Sequence, residues 1–144
     1  MSNVCVKNNT HAVPAHHAMC YQYLSLLTGV SSLYGYSRQH PYAWVPLCVG
    51  CSTYMYWKHN DFSIWRYIDI ATVQLCMWFQ VAYAAQFTTR NYLYITYAVG
   101  VLCFILSQWC KYQLQMHRCA FILHALVHII ANAGNVLMYS GERT

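Results

Sequence analysis

Five long apolar segments, separated by short polar breaks, constrain the fold of this 144-residue chain more than any other feature. The first segment carries no Lys, Arg, Asp or Glu between Ala15 and Tyr36. Apolar segments of about 20 residues match the thickness of a bilayer, where backbone amides must find partners within the protein. We therefore predict an all-α fold, a polytopic transmembrane helical bundle of about five helices, forming a single integral membrane domain over 1–144. The predicted spans are 15–36, 41–57, 64–87, 92–110 and 119–140.

Charge is too scarce to cover a water-facing surface. Charged residues make up 8% of the chain and hydrophobic residues 58%, whereas a soluble domain has about 25% charged residues. This composition excludes most soluble enzymes and makes the lipid bilayer the expected partner. The Lys and Arg residues are scattered along the chain, while a nucleic-acid-binding protein groups them on one face. We therefore expect no nucleic-acid partner.

The basic residues predict an orientation for the five spans. Lys7, Lys58, Arg66, Lys111 and Arg118 would lie on one side of the membrane, and Arg38, Arg90 and Arg143 on the other. The side richer in basic residues is usually cytoplasmic, so we predict a cytoplasmic N-terminus. The first eleven residues are polar and do not resemble a cleavable signal peptide. The glycosylation sequon at Asn8 would then be unused.

Residues near the segment ends refine this picture. Trp44, Trp57, Trp65 and Trp109 lie there, as interfacial anchors do. Pro46 is expected to kink the second segment or to displace its start. The C-x-x-C pair before Ser52 has no second pair in the chain, so we interpret its cysteines as small packing residues rather than redox or metal ligands.

Two stripes of polar residues run along the predicted helices. Asp69, Thr72, Cys76 and Gln80 lie on one face of the third segment, and His124, His128, Asn132 and Asn135 lie on one face of the fifth. Polar groups in a membrane need partners or a function. We therefore expect the two stripes to face each other in the bundle interior.

His124 and His128 have two interpretations. At a spacing of four residues on a helix, both imidazoles can reach one metal ion, and imidazole suits zinc, iron or copper. They could equally be structural residues that hydrogen-bond to neighbouring helices. Asp69 also has an alternative explanation, since Arg66 lies three residues earlier and could pair with it.

Three local strings resemble the motif regions of the CREST hydrolase superfamily, which includes alkaline ceramidases and progestin/adipoQ receptors. The strings are CSTYMYW, WRYIDIATV and LHALVHIIANAG. The resemblance implies a bundle that holds zinc through three His and hydrolyses a lipid amide or a related bond. It matches Ser52 and Asp69 to the motif Ser and Asp of catalysis, and His124 and His128 to paired zinc ligands.

The chain also departs from this family. Tyr56 stands where the family pattern has His, and His59 is the nearby residue that could replace it as the third ligand. The family has seven spans, two more than are predicted here, and the resemblance covers the chain from Pro46 onward. The chain is also similar to small multi-pass membrane proteins of protists and large DNA viruses, a likeness that implies no activity.

The sequence therefore supports three functional hypotheses. The first is a zinc-dependent membrane hydrolase that acts on a lipid substrate. The second is a non-enzymatic structural or scaffolding membrane protein whose polar residues fix helix packing. The third is a transporter or proton-relay subunit using Asp69 and the His pair, which would need an oligomer because five helices leave little room for a pore.

Overall fold

The computed structural model describes residues 13–61 and 63–142, and these residues form six helices joined by short loops. The helices are α1 (Ala15–Ser25), α2 (Leu27–Ser37), α3 (Trp44–His59), α4 (Ile64–Ala84), α5 (Arg90–Tyr112) and α6 (His117–Ser140). Together, α1 and α2 cover the first predicted segment, and the other four helices follow the remaining segments closely. The all-α prediction is confirmed. Asn8, Lys7 and the polar first eleven residues lie outside the described residues.

The first predicted segment is divided at Leu26, where one residue separates two helices. The Leu26 amide bonds to the Tyr23 carbonyl three residues earlier, a tighter turn than that of an α-helix. On either side of Leu26, side-chain hydroxyl groups donate hydrogen bonds to backbone carbonyls. Ser25 Oγ donates to Gln22 O at 2.6 Å, and Thr28 Oγ1 donates to Ser25 O. Such hydroxyl bonds are known to bend helices, so these residues account for the break.

Pro46 displaces the start of the second segment, as expected. The helix α3 begins at Trp44, after Ala43 as its N-cap, rather than at position 41. Pro46 is then the third helical residue, where an amide hydrogen has no partner within the helix in any case. The proline is therefore accommodated without a kink in the helix interior.

The α1–α2 segment lies between two hairpins. One hairpin is α3–α4 and the other is α5–α6; α3 and α6 both contact α1 and α2, whereas α4 and α5 touch each other little. The bundle has two ends. We call the end where α2, α4 and α6 finish the closed end, and the end where α1 and α6 begin the open end.

The two ends have separate cores. At the closed end, a buried cluster contains Ala84, Phe87, Leu93, Met138 and Tyr139. At the open end, a smaller cluster contains Ala18, Tyr21 and Trp57. The prediction that Trp57 is an interfacial anchor is wrong, because its side chain is only 6% exposed and packs on Tyr21. Trp44 and Trp109 do lie on the outer surface.

Among the described helices, α5 and α6 are long and apolar enough to cross a membrane, judged by length and composition. Only 22% of the residues in the most apolar stretch of each helix are buried in the bundle. A core helix of a soluble protein is mostly buried, whereas here many apolar side chains are exposed or half-buried. Exposed examples are Ile95, Leu102, Ile105, Ile122 and Ile129.

Candidate functional site

Asp69 accepts hydrogen bonds from two hydroxyl groups of the neighbouring helix. Its Oδ1 accepts a hydrogen bond from Ser52 Oγ at 2.9 Å and one from Thr53 Oγ1 at 2.6 Å. Ser52 and Thr53 are buried on α3, while Asp69 is half-buried on α4. The family resemblance pairs Ser52 and Asp69 as motif residues, and the structure brings them into contact. Thr53 was missed, although its position beside Ser52 made it a candidate.

The α3–α4 turn produces this contact. Asn60 ends α3 in the left-handed conformation, with its amide bonded to Tyr56 O at 2.8 Å. Helix α4 then starts at Ile64 and runs back along α3. Asp69 therefore faces residues about two turns before the end of α3.

The hydroxyl group of Ser52 already donates its proton to acceptors within the bundle. Besides Asp69, its only acceptor within hydrogen-bond distance in the described residues is the Val49 carbonyl, at 3.0 Å. A serine that stabilises a developing oxyanion must direct its proton at the substrate. The observed geometry is therefore that of a structural hydrogen bond, and Ser52 would need to reorient to take the role that the family resemblance implies.

His124 and His128 lie side by side on α6, as their spacing predicts. Their ring centroids are 5.4 Å apart. His124 also contacts the rings of Tyr21 at 4.6 Å and Trp57 at 5.6 Å. The Nε2 atom of His128 is buried and has no hydrogen-bond partner among the described residues. The pair is thus surrounded by aromatic rings rather than by carboxylates.

The third predicted ligand, His59, lies at the exposed end of α3 and stacks on Trp65, with ring centroids 5.7 Å apart and planes within 6°. Within residues 13–61 and 63–142, no three His, Cys, Asp or Glu side chains are grouped so that they could hold a metal ion. Catalytic zinc sites use three protein ligands. His124 and His128 supply two of the three ligands, so the zinc site stays a prediction.

Tyr56, which replaces the family's histidine, has a packing role. Its ring lies 4.5 Å from that of Trp57 and packs on the open-end core with Ala125. The half-buried ring at this position fills space beside Trp57 in the open-end core. The substitution is consistent with a bundle whose interior is stabilised by ring contacts at this depth.

The two predicted polar stripes meet near the closed end. The Nε2 of Gln80 on α4 donates to Asn135 Oδ1 on α6 at 2.9 Å, and Tyr97 OH on α5 donates to Gln80 Oε1. We call Gln80, Tyr97 and Asn135 the amide cluster. One turn away, Ser31 Oγ on α2 donates to Asn132 Oδ1 at 2.7 Å. The stripes therefore face each other at one end only, since Asp69 turns towards α3.

A cavity of about 420 Å³ opens at the open end. We call it the histidine cavity, after three of its lining residues, His17, His117 and His124. His117 lies seven residues before His124, on roughly the same face of α6, and both line this space. His17 was not singled out, because its position at the start of α1 becomes significant only when α1 packs against α6.

Comparisons of the chain with protein-family models, with curated proteins and with solved structures find no match. Function must therefore be argued from the distribution of side chains and from the site itself.

Proposed function

We propose that this chain is a multi-pass integral membrane protein with a non-enzymatic, structural role, in which interior polar pairs fix the packing of the helices. The observation that carries the proposal is an inverted distribution of side chains. Hydrogen-bonded amides and hydroxyls are buried, whereas large apolar side chains cover the outside. A water-soluble bundle has the opposite arrangement.

The outer surface supports more than two spans. Besides α5 and α6, helix α4 has 21 residues and exposes Tyr67, Ile70, Leu75 and Trp78. At about 1.5 Å per residue it is roughly 30 Å long, which matches the hydrocarbon core. The α1–α2 segment exposes Leu33 and similar apolar residues on its outside. The helix α3 is shorter, with 16 residues.

The interior pairs provide buried polar side chains with hydrogen-bond partners on neighbouring helices, which a membrane environment requires. In hydrocarbon a polar side chain without a partner is unfavourable, and hydrogen bonds between helices stabilise their association by about 0.6 kcal/mol each on average. Each pair joins different helices: Ser31 with Asn132, Thr53 with Asp69, and Gln80 with Asn135. Three weak bonds at three interfaces contribute little to the overall stability. Their effect is to favour one alignment of the helices over others.

Membrane integration is tested first by alkaline carbonate extraction of membranes from expressing cells. We expect the protein to stay with the membrane pellet, and its release with peripheral proteins would contradict the proposal.

Topology is tested with single cysteines at Gln39 and Gln115 in a cysteine-free background. Gln39 lies in the α2–α3 loop and Gln115 in the α5–α6 loop. In a multi-pass arrangement these loops lie on opposite sides, so a membrane-impermeant maleimide should label only one of them in sealed vesicles. We propose that Gln115 is on the cytoplasmic side, following the positive residues. Equal labelling of both positions in sealed vesicles would contradict the arrangement.

The zinc-dependent lipid hydrolase is the second candidate. The observations in its favour are the adjacent His124 and His128 rings, the unpartnered His128 Nε2, and the contact between Ser52 and Asp69. This function predicts bound zinc in purified protein and loss of that zinc in His128→Asn. Metal analysis of both proteins tests it, and folded wild-type protein that cannot be loaded with zinc would exclude it.

A further inference from the structure

The histidine cavity has walls of two chemical kinds. Its deeper walls include the aromatic side chains of Tyr21, Trp57 and Phe121. Towards the helix ends it is lined by Lys111 and His117, groups that donate hydrogen bonds. A volume of about 420 Å³ lies within the usual range of small-molecule sites. The space is therefore suited to a molecule with one polar group and one apolar part.

The charge of the lining indicates the sign of that polar group. The chain has only three acidic residues, Asp61, Asp69 and Glu142, and none of them lines the cavity. Lys111 contributes an ammonium group, and three histidines contribute imidazoles. With one ammonium group, imidazole N–H donors and no carboxylate among its lining residues, the cavity favours an anion over a cation.

The donors come from three helices and are held in place by contacts within the bundle. His17 on α1 stacks on Phe121 of α6, with ring centroids 4.2 Å apart. The start of α1 is fixed by Asn60, whose side-chain amide donates to Val13 O at 2.9 Å and accepts from Val13 N at 3.2 Å. On α5, Gln108 and Lys111 are one turn apart and both line the cavity. A ligand inside would thus meet donors from several directions.

We propose that the histidine cavity is a binding site for a terminal phosphate group with at least three unesterified oxygens, the chemistry shared by the headgroup of phosphatidate and by inorganic phosphate. A phosphate group offers several acceptor oxygens in a tetrahedral arrangement, which suits donors converging from α1, α5 and α6. Lysine binds phosphate as a point charge, and imidazole and amide N–H groups complete the shell. The aromatic walls accommodate the apolar part of a lipid.

Binding is measured on the full chain purified in a non-ionic detergent, by titration with dihexanoyl phosphatidate, with inorganic phosphate and with dihexanoyl phosphatidylcholine. Saturable binding of phosphatidate is expected. Binding of inorganic phosphate as well would identify the anion itself as sufficient, whereas binding of phosphatidate alone would identify the lipid as the source. Equal affinity for phosphatidylcholine would overturn the proposal, since that lipid lacks the terminal phosphate.

A matched pair of variants separates this cavity from general surface charge. The test variant is Lys111→Gln with His117→Gln. The control is Lys58→Gln with Arg118→Gln, which removes two positive charges from exposed residues at the same end of the bundle. We expect the test variant to weaken phosphatidate binding by at least about tenfold and the control to stay within about twofold. The same affinity in both variants would overturn the proposal.

A measurement on wild-type protein keeps the proposal testable if the double variant does not fold. A photoactivatable phosphatidate is crosslinked to the protein, and the labelled peptides are identified by mass spectrometry. Labels are expected at the end of α5 and the start of α6, and competition with dihexanoyl phosphatidate should remove them. Labels spread evenly over the apolar outer surface, without competition, would contradict a defined site.

Discussion

The closed end and the open end of the bundle differ in how completely their interiors are filled. At the closed end, Phe87, Leu93 and Tyr139 pack together next to the amide cluster, whose members bond to one another. At the open end, the histidine cavity lies between the start of α1, the end of α5 and the start of α6. The same helices therefore run from a tightly packed region into one that leaves space for a ligand.

This difference indicates which end holds the fold together. Filled, hydrogen-bonded interiors respond to substitution with large losses of stability, whereas a cavity tolerates changes in its lining. We expect the free energy of unfolding to depend mainly on the closed end and ligand binding mainly on the open end.

The largest effect is expected at Gly35, where α2 packs closely against Ala43 and Tyr139 at the closed end. A Cβ atom there would lie 2.9 Å from Ala43 Cβ and 2.9 Å from the Tyr139 ring. We expect Gly35→Val to lower the free energy of unfolding by about 3 kcal/mol through overpacking. The matched control is Gly29→Val, because no neighbour lies within 4 Å of a Cβ at Gly29. Thermal unfolding in detergent, followed by circular dichroism, measures both, and equal losses would contradict the comparison.

A smaller loss is expected when the amide cluster is broken. Gln80→Leu removes a donor to Asn135 and an acceptor for Tyr97, leaving both without their partner. We expect the free energy of unfolding to fall by about 1–3 kcal/mol. Gln74→Leu on the exposed side of the same helix should change it by less than about 0.5 kcal/mol. If Gln74→Leu is the more damaging of the two, the bundle interior has been assigned to the wrong face of α4.

Acid should weaken the closed end through His40, in the α2–α3 loop. His40 is buried against Phe87 and Tyr139, and burial lowers its pKa from the ordinary value of 6.5. The unfolded chain then binds a proton more readily than the folded chain. Stability is therefore complete above pH 6.5 and is lost as the pH falls towards the lowered pKa. The melting temperature between pH 7 and pH 5 should fall less in His40→Phe than in wild type. An identical decrease of the melting temperature in both proteins would show that protonation of His40 does not cause the loss of stability in acid.

The smallest effect on stability, but a sharp test of geometry, is expected at the α5–α6 turn of the open end. The sulfur atoms of Cys110 and Cys119 are 3.5 Å apart. Oxidised glutathione should convert the two thiols to a disulfide by exchange, releasing two molecules of reduced glutathione. Mass spectrometry detects the linked peptides. Cys110→Ser should abolish the link and Cys103→Ser should preserve it; linkage of Cys110 to another cysteine would contradict the turn.

The helices could be predicted from the sequence because their apolar length is a local property. Predicted and observed ends of α3 to α6 differ by three residues or fewer. The break at Leu26 was not predictable by hydropathy, since Leu26 is itself apolar. It arises from hydroxyl groups at Ser25 and Thr28, which compete for backbone carbonyls only in the folded geometry.

The site was predictable where helix periodicity decides and unpredictable where packing between helices decides. Periodicity placed Gln80 and Asn135 on facing stripes, and they bond to each other. It could not show that Asp69 turns towards Thr53, or that Trp57 points inward, because both depend on how closely α3 packs on α1 and α4. His59 is predicted as the third ligand because it lies three residues after Tyr56, yet it stacks on Trp65 at the exposed end of α3.

The polar pairs on three different interfaces together fix how the helices are aligned along their axes. Each hydrogen bond forms only when its two helices are aligned as observed. The pairs are Ser31 with Asn132, Thr53 with Asp69, and Gln80 with Asn135. A slide of one of these helices by a full turn, about 5.4 Å, would separate the bonded atoms of its pair, which lie 2.6–2.9 Å apart. The helices α2, α3, α4 and α6 therefore cannot move along their paired neighbours without first breaking a hydrogen bond inside the bundle.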